Sequence, residues 1–444
     1  MSKLKKLQKN PPLLIVLSFL SVIFIGAFLL NLPIASQNNE SIGMIDALFT
    51  ATSATCVTGL TVANTASQWT FFGKLVILLL IQIGGLGTMV VISLFFIALG
   101  RRINLSQRIL IKEQLSSLSM KGIVRLTKYV ISFSLLIELI GASFLAFRFI
   151  PLLGWQKGMI YSVFHAISAF CNAGFDLFGN SLEGFQKDYL VVLVISFLII
   201  FGGLGFTVFL DIYNKKNFRN FTLHTKVVLS ITGMLLLIGG MGFFILECTR
   251  EPMAGFNFGE KLLNSFFMSV TTRTAGFNTM DLSKLSGPSV LLAILLMFIG
   301  ASPASTGGGL KTTTFGVLLF STVSILRGNR ETVIFKRRIP LETILKSLCI
   351  FFLGSAIVIS VSMGITLIEG ENFQFLDILF ETVSAFGTVG VTRGITIHLH
   401  DLSKMIIVIV MFMGRIGPTT LVIALIQQKT ARYTKYAEGK IIVG

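Results

Sequence analysis

Apolar runs of about twenty residues or more recur along the chain, at 11–32, 72–99, 123–150, 189–213, 227–246, 289–326, 343–368 and 405–426. Each is long enough for a helix to cross a hydrocarbon core about 30 Å thick, and continuous runs, unlike short alternating ones, select helices over barrel strands. Within each successive pair lies a shorter segment bounded by polar turns, at 45–56, 160–170, 262–272 and 376–386. Such a segment reaches roughly 18 Å as a helix, about half a bilayer. A backbone that turns back at that depth is tolerated only where protein or a water-filled cavity covers it. The pattern therefore predicts an all-α polytopic membrane protein built from four repeats of transmembrane helix, re-entrant pore loop and transmembrane helix, eight spans in all. The repeats divide the chain at 1–122, 123–221, 222–338 and 339–444, the third with a broken second helix and the fourth ending in a tail.

The short segments resemble one another. Phe49, Phe164, Phe266 and Phe380 each stand ten residues before a glycine, Gly59, Gly174, Gly276 and Gly390, and an apolar residue follows each glycine. Internal repetition of this kind fixes architecture. Close helix packing uses small residues but does not require this spacing four times, whereas an ion path does. A short helix that stops in mid-membrane points the negative end of its dipole at the centre and favours a cation there. The extended residues after it present backbone carbonyls that replace an ion's water, and glycine allows a carbonyl to be aimed from a conformation other residues disfavour. The candidate filter is Thr55, Cys56, Val57, Thr58 and Gly59 in the first loop and Cys171, Asn172, Ala173 and Gly174 in the second. Arg273, Thr274, Ala275 and Gly276 follow in the third and Gly387, Thr388, Val389 and Gly390 in the fourth, with Arg273 read as a strut beside the path. The extended stretches are expected to begin at Cys56, Cys171, Thr274 and Gly387. Asp46 and Asp377, each thirteen residues before its glycine, are expected to cap their helices.

The second run of the third repeat differs from the others. Its stretch 300–314 reads GASPASTGGGLKTTT, with Pro303, Ser305, Thr306, Gly307, Gly308, Gly309 and Lys311 inside what would be a helix. Proline and consecutive glycines break helical continuity, so a mobile intramembrane loop is expected there, blocking or lining the path. The equivalent run of the fourth repeat carries Arg415, in GRIGP. A charge at mid-bilayer costs about 2.5–3.5 kcal/mol on insertion scales. Arg415 should therefore face water, as a positive barrier below the filter, or pair with a carboxylate such as Glu138 or Glu381. GGLG at 84–87 and 202–205 reads as close helix packing.

Composition agrees with a membrane protein, since hydrophobic residues make up 53% of the 444 and charged ones 13%. The formal charge of +17 is explained by placement. Lys3, Lys5, Lys6 and Lys9, the stretches 101–128, 215–226 and 327–346, and the tail from Lys429 lie between alternate runs, which makes them and both termini cytoplasmic and leaves no charge to assign to nucleic acid. The basic and then apolar start, with Ala35 near a small-residue site, mimics a signal peptide, but its run is long enough to be the first membrane helix. Cys56, Cys171, Cys248 and Cys349 show no metal or redox spacing and read as free, buried thiols. His165, His224, His398 and His400 form no metal-like cluster, and no nucleophile has a base at suitable spacing, so an enzyme is not expected. His165 reads as a packed, hydrogen-bonded side chain. No GxGxxG follows a strand-like segment, so no nucleotide module is expected in this chain.

The four units with one filter glycine each, the SPASTGGGLKTTT stretch and the GRIGP arginine resemble the Trk/Ktr/HKT potassium-transporter superfamily, most closely its bacterial Ktr-type membrane subunit. The resemblance covers nearly the whole chain. It implies a potassium-selective uptake channel or symport-type transporter stimulated by sodium, with K+ at the filter carbonyls. It further implies one pore per protomer, a homodimer in the lipid of a bacterial plasma membrane, and gating by a cytoplasmic nucleotide-binding ring of the octameric RCK type. By the same resemblance Gly59, Gly174, Gly276 and Gly390 are the filter glycines, Thr306 to Lys311 the gating loop, and Arg415 the pore-facing arginine. Some plant members of the superfamily carry Ser at the first filter position and favour sodium, so the resemblance with Gly59 at that place implies potassium. A sodium-selective or non-selective cation transporter of the same fold is the alternative.

Overall fold

The computed structural model describes residues 11–88, 90, 123–417 and 420–421, and within them the chain is almost wholly helical. In chain order the helices of more than four residues are α1 (Pro11–Leu30), α2 (Met44–Cys56), α3 (Phe71–Leu86), α4 (Ile123–Leu153), α5 (Trp155–Phe170), α6 (Tyr189–Leu204) and α7 (Phe206–Lys215). They continue with α8 (Leu223–Glu247), α9 (Phe258–Thr271), α10 (Gly287–Phe298), α11 (Thr312–Leu326), α12 (Leu341–Glu369), α13 (Phe375–Gly387) and α14 (Asp401–Ile416). One order recurs four times: a long helix, a short one, and a third that is interrupted. A two-residue antiparallel pair, β1 (Val333–Ile334) and β2 (Arg337–Arg338), joins α11 to α12 with Val333 opposite Arg338. The N-terminal lysines, most of the basic stretch 101–128, the far ends of the runs 72–99 and 405–426 and the basic tail lie outside the described residues.

Local sequence explains where the helices start. Thr70, Asp188 and Thr222 accept backbone N–H bonds at the N-termini of α3, α6 and α8, and Asn257 with Glu260 forms a reciprocal capping box on α9. In the last two units a glutamate ending the long helix reaches across to the start of the third. Glu247 accepts from the N–H of Ser286 at 3.0 Å, ahead of α10, and Glu369 from the N–H of His400 at 2.9 Å, ahead of α14.

The third helices do not run through. Those of the first, second and fourth units stop at Gly87, Gly205 and Gly417, with φ of 91°, 96° and 91° and ψ of 132°, 138° and 135°. This backbone region is essentially reserved for glycine. After Gly205 the chain resumes as α7 at 92° to α6. A break was expected only in the third unit; it occurs in all four. GGLG thus combines packing with interruption, because a Cβ on Gly84 or Gly202 would fall on the carbonyl of Thr55 or Phe170, at the end of the short helix beside it. Among the described residues four helices, 12–30, 127–153, 223–247 and 341–369, are long and apolar enough to cross a membrane, or five if α6 and α7 count as one bent span. Of the eight spans read from hydropathy, one of them expected to be broken, the four long helices run through and the four third helices are divided.

Packing closes the units into a ring. Each long helix packs on its own short helix, while α3 packs on α5, α6 on α9, α10 on α13 and α14 on α2, so that every third helix touches the next unit's short helix and the last returns to the first. Large apolar side chains point outward, among them Phe147, Leu237 and Leu367, as on a surface solvated by hydrocarbon. Of the four cysteines, all free, Cys56 and Cys171 are buried, Cys248 is half-buried and Cys349 is exposed; the expectation of burial fails for the last two because their positions face outward.

Candidate ion pathway

At the centre of this ring the four glycine segments meet. A Cβ built on Gly59 would strike the carbonyl oxygen of Ala173; on Gly174, that of Ala275; on Gly276, that of Val389; on Gly390, that of Thr58. Each of those carbonyls belongs to the residue just before the next unit's glycine, and the sequence of contacts closes from fourth unit to first. In every segment two residues are left-handed, the glycine and the residue two before it. Val57, Asn172, Thr274 and Thr388 have φ of 58°, 59°, 77° and 50°, and the four glycines have φ between 70° and 95°. One ordinary residue separates the two in every segment, so the same alternation of backbone conformation recurs four times.

Hydroxyl groups in the short helices hold these turns. Gly59 and Gly390 donate their N–H to Ser53 and Ser384 at 3.0 and 3.1 Å. Ser168 and Ser384 donate to the carbonyls of Phe175 and Val391, both at 2.7 Å, and Thr271 donates to that of Phe277. These anchors are absent from the expected site, although a serine six residues before the glycine recurs in three units. The extended stretch is also shorter than expected: Thr55 lies within α2, and Cys56 and Gly387 are the last helical residues of α2 and α13. Arg273 turns away from the centre and donates to the carbonyl of Thr232 at 3.4 Å, as a strut would. Asp46 and Asp377 sit in the first turns of α2 and α13 but make no cap. Asp46 pairs with Lys404 at 2.8 Å, and Asp377 pairs with Arg393, whose second amino group reaches the carbonyl of Ser283. His165 is buried as expected, donating from Nδ1 to Tyr161 O at 2.7 Å and accepting the Leu177 N–H at Nε2.

Between α10 and α11 the chain from Ile299 to Lys311 leaves helical form and passes against these segments. Its backbone is bonded to the breaks of other units: Ser302 and Thr306 donate to Gly203 and Gly202 at 3.1 and 3.2 Å, and Gly309 donates to Gly414 at 3.2 Å. Gly307 is pressed against Thr274, and Lys311 folds back to the carbonyl of Gly307 at 2.8 Å. Arg415 donates to the carbonyls of Thr306 and Gly84. Neither carboxylate considered for it is its partner, since Glu138 is held by Gln82 and Glu381 by Thr396. A cavity of about 460 Å³ opens on this loop, lined by Pro303, Ser305, Gly307 and Gly309 with Lys311, Lys346 and Arg415, and, among the described residues, by no acidic side chain. Among the described residues no cluster of His, Cys, Asp and Glu suits a bound metal.

A family model described as a cation transport protein, TrkH, matches residues 7–435. The chain belongs to the TrkH family. Among its relatives in that family, the Ktr system potassium uptake protein B of Bacillus subtilis is 44% identical over 442 residues, covering 99% of this chain and 98% of the relative. The potassium/sodium uptake protein NtpJ of Enterococcus hirae is 42% identical over 453 residues, covering 100% and 99%. The crystal structure of the potassium transporter TrkH from Vibrio parahaemolyticus superposes with a TM-score of 0.73 at 18% identity, covering 94% of this chain and 84% of that one, which establishes the TrkH-type fold.

Proposed function

We propose that this TrkH-family chain is the membrane subunit of a potassium uptake system, passing K+ through the ring formed by Gly59, Gly174, Gly276 and Gly390. The closed cycle of carbonyl approaches around these glycines carries the reading, because it concentrates oxygen donors where four helix C-termini converge. Loop 303–311 is the gate below the ring. Its backbone fills the path, and Arg415 ties its Thr306 carbonyl to α3. The four units act as four half-crossing pore loops between eight spans, four of them interrupted, with both termini in the cytoplasm of a bacterial cell. Two protomers form the working unit, each with its own pore, and a cytoplasmic nucleotide-binding ring gates it by moving the loop. Sodium acts as an activator. The Ktr-system name of a relative covered over nearly its whole length supports a separate partner subunit.

A second reading, mixed potassium and sodium passage, is favoured by one observation, the equally complete likeness to a potassium/sodium uptake protein. One experiment separates the two. Uptake of K+ against Na+ is measured in cells without their own potassium importers, expressing this chain with and without a nucleotide-binding ring subunit. Potassium-preferring uptake that rises with the ring is expected. Uptake indifferent to the choice of ion selects the second reading, and no uptake of either ion overturns both.

A further inference from the structure

The loop does not merely lie against the glycine ring; it is bonded to the side chains of the ring's left-handed residues. Thr306 Oγ1 donates toward Asn172 Oδ1 at 3.1 Å and the carbonyl of Phe170 at 3.3 Å, while the Asn172 amide donates to Thr274 Oγ1 at 3.1 Å. The N–H of Gly308 donates to Thr388 Oγ1 at 2.9 Å. Asn172, Thr274 and Thr388 are three of the four residues held at positive φ. A threonine in that region is costly and persists only where its surroundings hold it. The fourth, Val57, offers no polar group and has no such bond to the loop.

We propose that Thr306 and Gly308 are positioning residues for the carbonyl ring, so that the loop and the ring are one coupled unit in which ion identity biases the loop and loop position alters ion preference. This rests on the proposed function and adds a device to it. When the loop is seated, it fixes Asn172 and Thr388 and with them the aim of the carbonyls of Ala173 and Val389. When it moves, Asn172 and Thr388 lose their loop partners together, and Thr274 is left bonded to an asparagine that the loop no longer holds. Coupling of this kind is reciprocal, because the free energy linking two sites is the same from either side.

The test uses the full chain in lipid nanodiscs and reads hydrogen–deuterium exchange of the loop peptide 300–312 and of the ring peptides 53–60 and 384–391, in KCl and in NaCl of equal ionic strength. The loop is expected to exchange about fivefold more slowly in KCl, the size of one net hydrogen bond. Thr306→Val and Thr388→Val, which keep shape and delete a hydroxyl, are expected to abolish that ion dependence and to lower K+ over Na+ preference in uptake by a similar factor. Thr388→Ser keeps both. Thr322→Val, the same change on the far side of α11, leaves both as they are. Loop exchange indifferent to the ion while the ring peptides respond overturns the coupling and leaves the filter reading standing. Indifference of loop and ring peptides alike overturns both, and an ion dependence that survives both valine variants overturns the assigned residues.

Discussion

A serine at residue 390 would have its Cβ on the carbonyl oxygen of Thr58, one of the four that the ring glycines abut, and would hold φ at 91°. Neither burden can be shed by rotating a side chain, since the neighbour is backbone. Overpacking costs about 1–3 kcal/mol, and the oxygen that must yield is itself a proposed ligand. Gly390→Ser is therefore expected to lower K+ over Na+ preference by about tenfold, roughly 1.4 kcal/mol of differential binding, in competition uptake. Gly364→Ala supplies the contrast, since no heavy atom lies within 4 Å of its added methyl and its φ is ordinary. It is expected to leave ion preference unchanged and to stabilise α12 by up to about 1 kcal/mol in thermal unfolding. Unchanged competition in Gly390→Ser would remove the ring from the selectivity argument. The glycines were legible because only their absent side chains satisfy such positions, and spacing exposes that. Val57 and Thr388 were legible as members of the site but not as its left-handed residues, because a β-branched residue argues against positive φ until tertiary contacts override it.

Elements were legible as runs and illegible as breaks. Hydropathy sees α6 and α7 as one apolar stretch because Gly205 adds little polarity, and the 92° turn arises from a backbone conformation that leaves no trace in an apolar count. The break at 300–311 was readable because Pro303, three glycines and Lys311 coincide. Gly205 abuts the carbonyl of Pro303, so the turn in the second unit also seats the loop of the third. Gly205→Ala must then leave a glycine-only conformation or strain it, at about 1–3 kcal/mol. It is expected to lower thermal stability and to raise exchange over 300–312. A variant as stable as the parent, with the loop equally protected, would separate the turn from the loop. Deleting 306–309 removes the bonds to Asn172, Thr388 and Arg415 at once. Uptake by the folded deletion variant is expected to rise and to lose its dependence on a ring subunit. Equal or lower uptake would show that the loop is not the gate.

At the scale of the molecule, repetition in the sequence specifies four units but not that they close on one another. The closing contacts join residues far apart in the chain. Asp46 and Lys404 are separated by 358 residues and meet at 2.8 Å, joining the first turn of α2 to α14, with side-chain exposures of 27% and 10%. Sequence reasoning took Asp46 for a cap because first-turn carboxylates serve that role on isolated helices; here the closure of the ring recruits it to a lysine of the last unit. Asp377 holds the same place in α13 and reaches the third unit through Arg393. First-turn aspartates thus tie two short helices to the units before them in the ring, and the carbonyl cycle below depends on those helices keeping their places. Lys404→Met keeps most of the buried stem and removes the charge, leaving Asp46 half-desolvated, and Asp46→Asn leaves Lys404 with only the exposed Asp401 at 3.8 Å. Each is expected to cost about 1–2 kcal/mol, between the exposed and fully buried extremes for ion pairs. The double variant should cost less than the sum of the two, because the second change removes a partner already lost. The measurement is a double-mutant cycle on thermal unfolding in detergent, with K+ preference as a second readout. If the two effects add fully, the pair does not hold the ring closed, and closure must rest on the packing of α14 against α2.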